Sequence, residues 1–343
     1  MKKNLLLFSV LFFISPNIFS QKILGDFFFG DIVNIHPIND EDIIVVSNDL
    51  DHHVFMVSLD DGKILKKYIP EGRGPGESLR IESSVLIENE LYLKENSGQI
   101  TIIDVLKSKI IKEQIVRLPG QSNHLSFYEN NLLSGTSFYV NPAFLRSKRS
   151  TLPLGYVLDR KTLEVKDTLF FDLKKSGLLE VSGISKIEFY SLESFFIQIS
   201  ETEYLFALKG LNKIHKMKKD ESEFSVSKTY NINLENNFNL KTIERSGVGF
   251  GIKIPASLND FFILKDSKSG ELKYSFSFGY NSQNIPYGYA SYNNIIDEFE
   301  YHYLDVETPD ISSPLGCRKF KEKYYCFENE VAGPNGGTVF IID

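Results

Sequence analysis

Apolar and polar residues alternate along this chain in short runs that fold back on themselves. Residues 53–69 read HVFMVSLDDGKILKKYI, two apolar-rich stretches around Asp60-Asp61-Gly62. Period-two alternation interrupted by such a turn predicts a β-hairpin. Residues 99–115, QITIIDVLKSKIIKEQI, superpose on it without a gap: Val54 falls on Ile100, Met56 on Ile102, Leu59 on Val105, Ile64 on Ile110 and Ile69 on Ile115. Residues 260–276 repeat the figure with Ser269-Gly270-Glu271 at the turn. Weaker copies occupy 155–168, turning at Arg160-Lys161, and 213–230, turning near Asp220. A further short strand precedes the good copies, at 43–47 and 91–94.

The last residues, 338–343, read TVFIID and match the first strand of these hairpins, but no partner follows them. Residues 23–29, ILGDFFF, form an apolar segment with no earlier neighbour. Pairing the two ends would close the repeat and remove an exposed strand edge. A spacing of roughly 45 to 60 residues per unit fits a four-stranded propeller blade. The pattern therefore predicts an all-β chain, a six-bladed β-propeller closed by its N-terminal strand against its C-terminal strand. Insertions are expected near 138–152 and 279–313. In the second, Ile295, Ile296, Phe299 and Tyr303 stand at helical spacing behind Ser291, which predicts a short helix over 291–303.

Composition changes this picture only at the ends. With 28 Phe, 17 Tyr and no Trp in 343 residues, the aromatic content suits half-buried pleated surfaces. The first twenty residues differ: Lys2 and Lys3, an apolar run over 5–14, then Pro16 and Ser20. That is the layout of a secretory signal, too short to span a bilayer. The expected domains are a signal peptide over 1–20 and one propeller over 21–343, exported to the periplasm or beyond. Losing the two lysines would take the formal charge from -7 to -9, which argues against nucleic acid or anionic membrane as a partner. No later segment has the roughly 18 uninterrupted apolar residues a membrane helix needs, and a monomer is expected. Cys317 and Cys326 are the only cysteines. If 316–320 and 323–327 pair around Lys321-Glu322, the two thiols sit directly opposite, at a separation a disulfide bridges.

One motif interrupts the repeats. Residues 71–77 read EGRGPGE, three glycines around Arg73 with Pro75 as a stiffener; this describes a sharp exposed turn. It lacks the Lys-Ser/Thr ending of a nucleotide loop. A GRGPGE stretch after a strand resembles the signature of TolB-like six-bladed propellers of secreted bacterial proteins, relatives of NHL-repeat propellers. The resemblance implies a fold and carries no catalytic residues across.

Candidate site residues follow from strand alternation, which brings loops after second and fourth strands to one face. These loops hold Asp49, Asp51, His52 and His53, then Arg73 and Glu77, then 94–99. The expected insertions add Arg146, with Lys148 and Arg149, and a tyrosine-rich stretch that includes Tyr287. Arg73 and Glu77 read as a salt bridge across the turn, with a binding pair as the alternative. No nucleophile elbow or His-Glu-x-x-His helix occurs. The expectation is a non-catalytic binding module without a cofactor, whose partner is a small ligand, a glycan or a protein. The alternative is a metal-dependent hydrolase of the lactonase type, using Asp49, Asp51, His52 and His53 around a divalent cation such as calcium.

Overall fold

The computed structural model describes residues 21–23, 29–48, 51–118, 124–128, 131–135, 137–140, 151–172, 175–176, 190–208, 213–220, 223–231, 244–245, 252–253, 257–265, 272–279, 287–304, 316–320, 323–329 and 337–342. Among them the secondary structure is entirely strands and turns. Every pairing between strands is antiparallel. The strands group into five four-stranded sheets, one five-stranded sheet and a two-stranded pair.

The first sheet runs Asp31–Pro37, Asp42–Asn48, His52–Ser58 and Ile64–Pro70 in spatial as well as chain order. The second repeats this with Ile81–Ile87, Glu90–Glu95, Gln99–Asp104 and Lys109–Ile115. The hairpins predicted at 53–69, 99–115, 155–168 and 213–230 are thus the last two strands of their sheets. The hairpin at 260–276 is a different pair. Ser257–Lys265 and Leu272–Gly279 are the first and second strands of the fifth sheet, and the third and fourth are Tyr287–Asn293 and Glu298–Leu304. The predicted helix over 291–303 is therefore a β-hairpin, and the described residues 287–304 of the expected insertion at 279–313 are two strands and their turn. Ile295 and Ile296 stand on its turn, 78% and 55% exposed. Two apolar residues at a turn, flanked by alternating strands, mimic helical spacing over so short a window. The other expected insertion also contributes sheet: Ser137–Val140 pairs with Tyr190–Gln198 in the fourth sheet.

The continuous apolar run of the second strand has a packing cause. Ile43 and Val45 join Tyr325, Phe327 and Ile341 of the last sheet, whereas Ile44 and Val46 join Leu91 and Leu93 of the second. A strand covered on both faces loses the polar half of its alternation. The second and third sheets share a further cluster, with Tyr92, Ile100, Leu125, Leu132 and Leu158. The third and fourth meet where Phe171 stacks on Phe206 at 5.7 Å. The fourth and fifth meet at Tyr230 and Phe299, ring centroids 5.0 Å apart. First strands touch across the fifth and sixth sheets, Ser257–Lys265 against Gly316–Phe320.

Outer strands keep exposed apolar residues, among them Leu65, Ile111, Ile115 and Phe170. Lysines at 66, 67, 109 and 112 accompany them on the same strands, a usual defence of a free edge.

The sixth sheet takes its strands from both ends. Gly316–Phe320, Lys323–Asn329 and Gly337–Ile342 come from the C-terminus, and Gln21–Ile23 pairs with Phe340–Ile342. Phe29 adds an isolated bridge to Gly337. The pairing falls two residues ahead of the predicted 23–29 segment, whose residues 24–28 lie outside the described residues. Cys317 faces Cys326 in the register. Cys326 is buried and disulfide-bonded, and Cys317 is the chain's only other cysteine. Residues 1–20 lie outside the described residues.

Candidate functional site

The Gly-rich turn at 71–78 is held in place by its own carboxylates and by a buried histidine. Glu77 Oε2 accepts the Gly74 amide at 2.6 Å, and the Glu77 amide donates to Gly74 O at 3.1 Å. Glu113, from the outer strand of the second sheet, accepts the Gly76 amide on both oxygens at 2.9 and 3.1 Å. Gly76 has φ +78°, a left-handed conformation that costs glycine nothing. The turn's return strand is tied by Gly72 N to Ser78 O at 2.9 Å and Ser78 N to Pro70 O at 3.0 Å. Backbone amides donating to carboxylates are charge-assisted and stronger than neutral pairs.

His53 closes the turn from below. It is 1% exposed, its Nδ1 lies 3.2 Å from Ser47 O and its Nε2 2.9 Å from Ser78 O. Both ring nitrogens thus face backbone carbonyls, and neither is directed at a metal. The loop bearing Asp51 joins the same patch, where Asp51 O accepts the Glu71 amide at 3.0 Å. Asn48 bonds both the carbonyl and the amide of Ile81, at 3.1 and 2.8 Å. Ile81, which follows the turn, pairs directly with Glu95 at the start of the 94–99 loop.

The pairing expected between Arg73 and Glu77 does not form. Glu77 is spent on the turn's own amides, where a backbone donor three residues away outcompetes a long, flexible side chain. Arg73 stays exposed, and among the described residues no ion pair engages it. Asp51 is exposed and His52 half-buried. Asp49 and Arg146 lie outside the described residues. Tyr287 is in a strand opposite Leu304. Tyr292, from the tyrosine-rich stretch, is 2% exposed and packs in the core. Among the described residues no group of three or more His, Cys, Asp or Glu converges as a metal-binding set.

Sequence reasoning missed the buried polar atoms around these loops. Ser47 Oγ, His52 Nδ1, Ser78 Oγ and Glu95 Oε1 are buried without a protein hydrogen-bond partner, an arrangement that calls for an explanation wherever it occurs. Lys94 sits inside a strand, 4% exposed, with Glu82 Oε2 at 3.9 Å as the acid paired with it. Burial pulls its ammonium below the ordinary lysine range, and Glu82 offsets only part of that. Nothing in alternation marks a lysine as buried, since the same letter serves the solvated face.

No family model matches the chain, and no curated protein does. Among solved structures it is similar to the β-propeller domain of Cps50 (Swd1) from Myceliophteria thermophila, at 11% identity, covering 94% of this chain and 99% of that one with a TM-score of 0.47. It is similar to the WD40 β-propeller domain of Doa1 at 12% identity, covering 94% and 97%, TM-score 0.44. It is also similar to the N-terminal domain of Nup159 at 10% identity, covering 91% and 75%, TM-score 0.42.

Proposed function

We propose that this chain is an exported six-bladed β-propeller acting as a non-catalytic binding module, with the Arg73 turn as its contact point for an anionic group. The architecture is supported by six sheets of four or five strands, each packed on the next, with Gln21–Ile23 serving as the outer strand of the last. Export rests on the layout of residues 1–20, a positively charged start followed by an apolar run and a small residue at position 20.

The observation that carries the binding reading is the exposed, unpaired Arg73 guanidinium on a turn fixed by Glu77, Glu113 and His53. A planar fork of donors on a preorganised backbone suits bidentate recognition of a carboxylate or phosphate, because little ordering is left to be done on binding.

The test is thermal-shift screening of wild type and Arg73→Glu against citrate, a uronic acid, inorganic phosphate and a phosphorylated peptide. The reading expects at least one of these to raise the wild-type melting midpoint and to lose that effect in the variant. Equal shifts in both proteins, or none in either, reject it. A chelator arm with EDTA covers the hydrolase alternative: a large fall in midpoint would point to a bound divalent cation.

A further inference from the structure

A second cleft lies between two edge strands, well separated in sequence from the Arg73 turn. Its volume is about 480 Å³, within the roughly 300–1,000 Å³ usual for small-ligand sites. One wall is Val165–Asp172, the outer strand of the third sheet, and the other includes Lys219 and Glu223–Phe224 of the fourth. Residues 175–176 bridge the two walls. Ser176 N donates to Asp172 O at 2.9 Å, Ser176 O accepts Val226 N at 3.0 Å, and Lys175 pairs with Glu223 at 2.9 Å. The cleft is therefore built across two sheets and tied by backbone bonds.

Its chemistry is specific. Phe170, 54% exposed, lines it beside Thr151, Thr168 and Asp167. Asp167 Oδ1 accepts the Thr168 amide at 2.7 Å, which orients the carboxylate and leaves Oδ2 available. Lys219 lines the opposite wall, its Nζ 5.9 Å from the Phe224 ring centre. The cleft thus lines up a largely exposed ring with an oriented carboxylate, hydroxyls and an ammonium. The combination matches one class of ligand: a sugar ring lays an apolar C–H face on an aromatic ring while its hydroxyls both donate and accept. A cationic peptide group is disfavoured by Lys219, and a purely anionic one by Asp167 and Asp172.

We infer that this cleft binds a short neutral oligosaccharide, stacked on Phe170 and hydrogen-bonded by Asp167. The site is independent of the Arg73 turn, so either reading can fail alone. The experiment is a glycan array with the full chain, followed by calorimetric titration of the strongest neutral glycan into wild type, Phe170→Ala and Asp167→Asn. Loss of the ring is expected to weaken binding about tenfold or more, with an unchanged melting midpoint because Phe170 is largely exposed. Arg73→Glu should bind as wild type does. An array without a neutral binder overturns the inference. So does a glycan whose affinity Phe170→Ala and Asp167→Asn leave intact, or one lost in Arg73→Glu instead.

Discussion

Two hairpin tips reach across to the preceding sheet, and they carry opposite charge. The tip of the third sheet inserts Arg160 among acceptors of the second: Glu88 at 3.2 Å, Glu90 at 3.0 and 3.2 Å, and the Tyr92 hydroxyl oxygen at 2.9 Å. The tip of the fifth sheet inserts Asp297 among donors of the fourth: Lys216 at 3.1 Å, Lys228 at 2.9 Å and the Tyr230 hydroxyl at 2.6 Å, with its own sheet's Tyr292 hydroxyl at 2.6 Å. The seams share a shape and differ in wiring. Tyr92 keeps a bond to Glu90 whether or not Arg160 is present. Tyr230 and Tyr292, 9% and 2% exposed, both depend on the one carboxylate. A charge shared along a chain is replaceable, whereas a charge at a hub is not.

Backbone geometry reinforces the contrast. Gly62, Ser108, Leu163 and Asp297 all have left-handed φ, one at each such tip. Such a residue ends the type I turn of a bulged hairpin, and register shifts follow at Met56/Val57, Ile102/Ile103 and Val157/Leu158. Asp tolerates that conformation better than most side chains. One residue at 297 therefore serves both the turn and the seam.

The titration behaviour follows the wiring. Burial pushes the Asp297 carboxyl up, but the Tyr230 and Tyr292 hydroxyls with Lys228 and Lys216 outweigh it and hold it well below the usual carboxylate range. Glu90 is likewise held low, where burial is overcome by Tyr92 and Arg160.

The comparison breaks most sharply at Asp297. Asp297→Ala should cost about 3 kcal/mol, because two buried hydroxyls lose their carboxylate acceptor, Lys216 is left with Glu203 alone at 3.2 Å, and alanine is strained at positive φ. Asp297→Asn, which keeps the turn, should cost about 2 kcal/mol. Chemical denaturation of both variants separates charge from backbone, and equal losses would assign the whole effect to the carboxylate.

His215 sharpens the comparison next, since it neighbours Lys216 in the fourth sheet. It is 1% exposed with Nδ1 3.0 Å from Thr229 Oγ1. Burial, aided by Lys213, lowers it to about 4. The unfolded chain titrates near 6.5 and so binds the proton first as pH falls. Stability from this group is full above about pH 6.5 and drains between there and about 4, by about 2–3 kcal/mol. Unfolding free energies measured at pH 7 and 4.5 should converge in His215→Gln. An unchanged slope in that variant would move the effect elsewhere.

The smallest effect is expected at the third sheet's tip. Arg160→Ala should cost about 1–2 kcal/mol, since Tyr92 retains Glu90 and Glu88 returns to water. A loss as large as that of Asp297→Ala would erase the distinction between chain and hub.

Much of the fold was legible in the order of apolar residues. The hairpin turns at Asp60-Asp61-Gly62 and Arg160-Lys161, the Cys317–Cys326 register, and the meeting of the two chain ends all follow from local alternation and from which segments lack a neighbour. Turn chemistry and period-two patterning act between residues close in sequence, so they leave a readable trace. The helix misread at 291–303 shows the limit. One hairpin looks like another until its place in a sheet is known, and two isoleucines on a turn suffice to suggest another period.

The candidate site was legible as a set of loops and not as an arrangement. Sequence alone settled that EGRGPGE is a turn and that its neighbours are polar. Only the tertiary structure decided that Glu77 caps Gly74 and leaves Arg73 free, that His53 is consumed by two carbonyls, and that Asp297 rather than any predicted residue joins two sheets. Those outcomes are competitions among partners distant in the chain. Distance, burial and the number of available acceptors decide them, and the linear order of residues records none of the three.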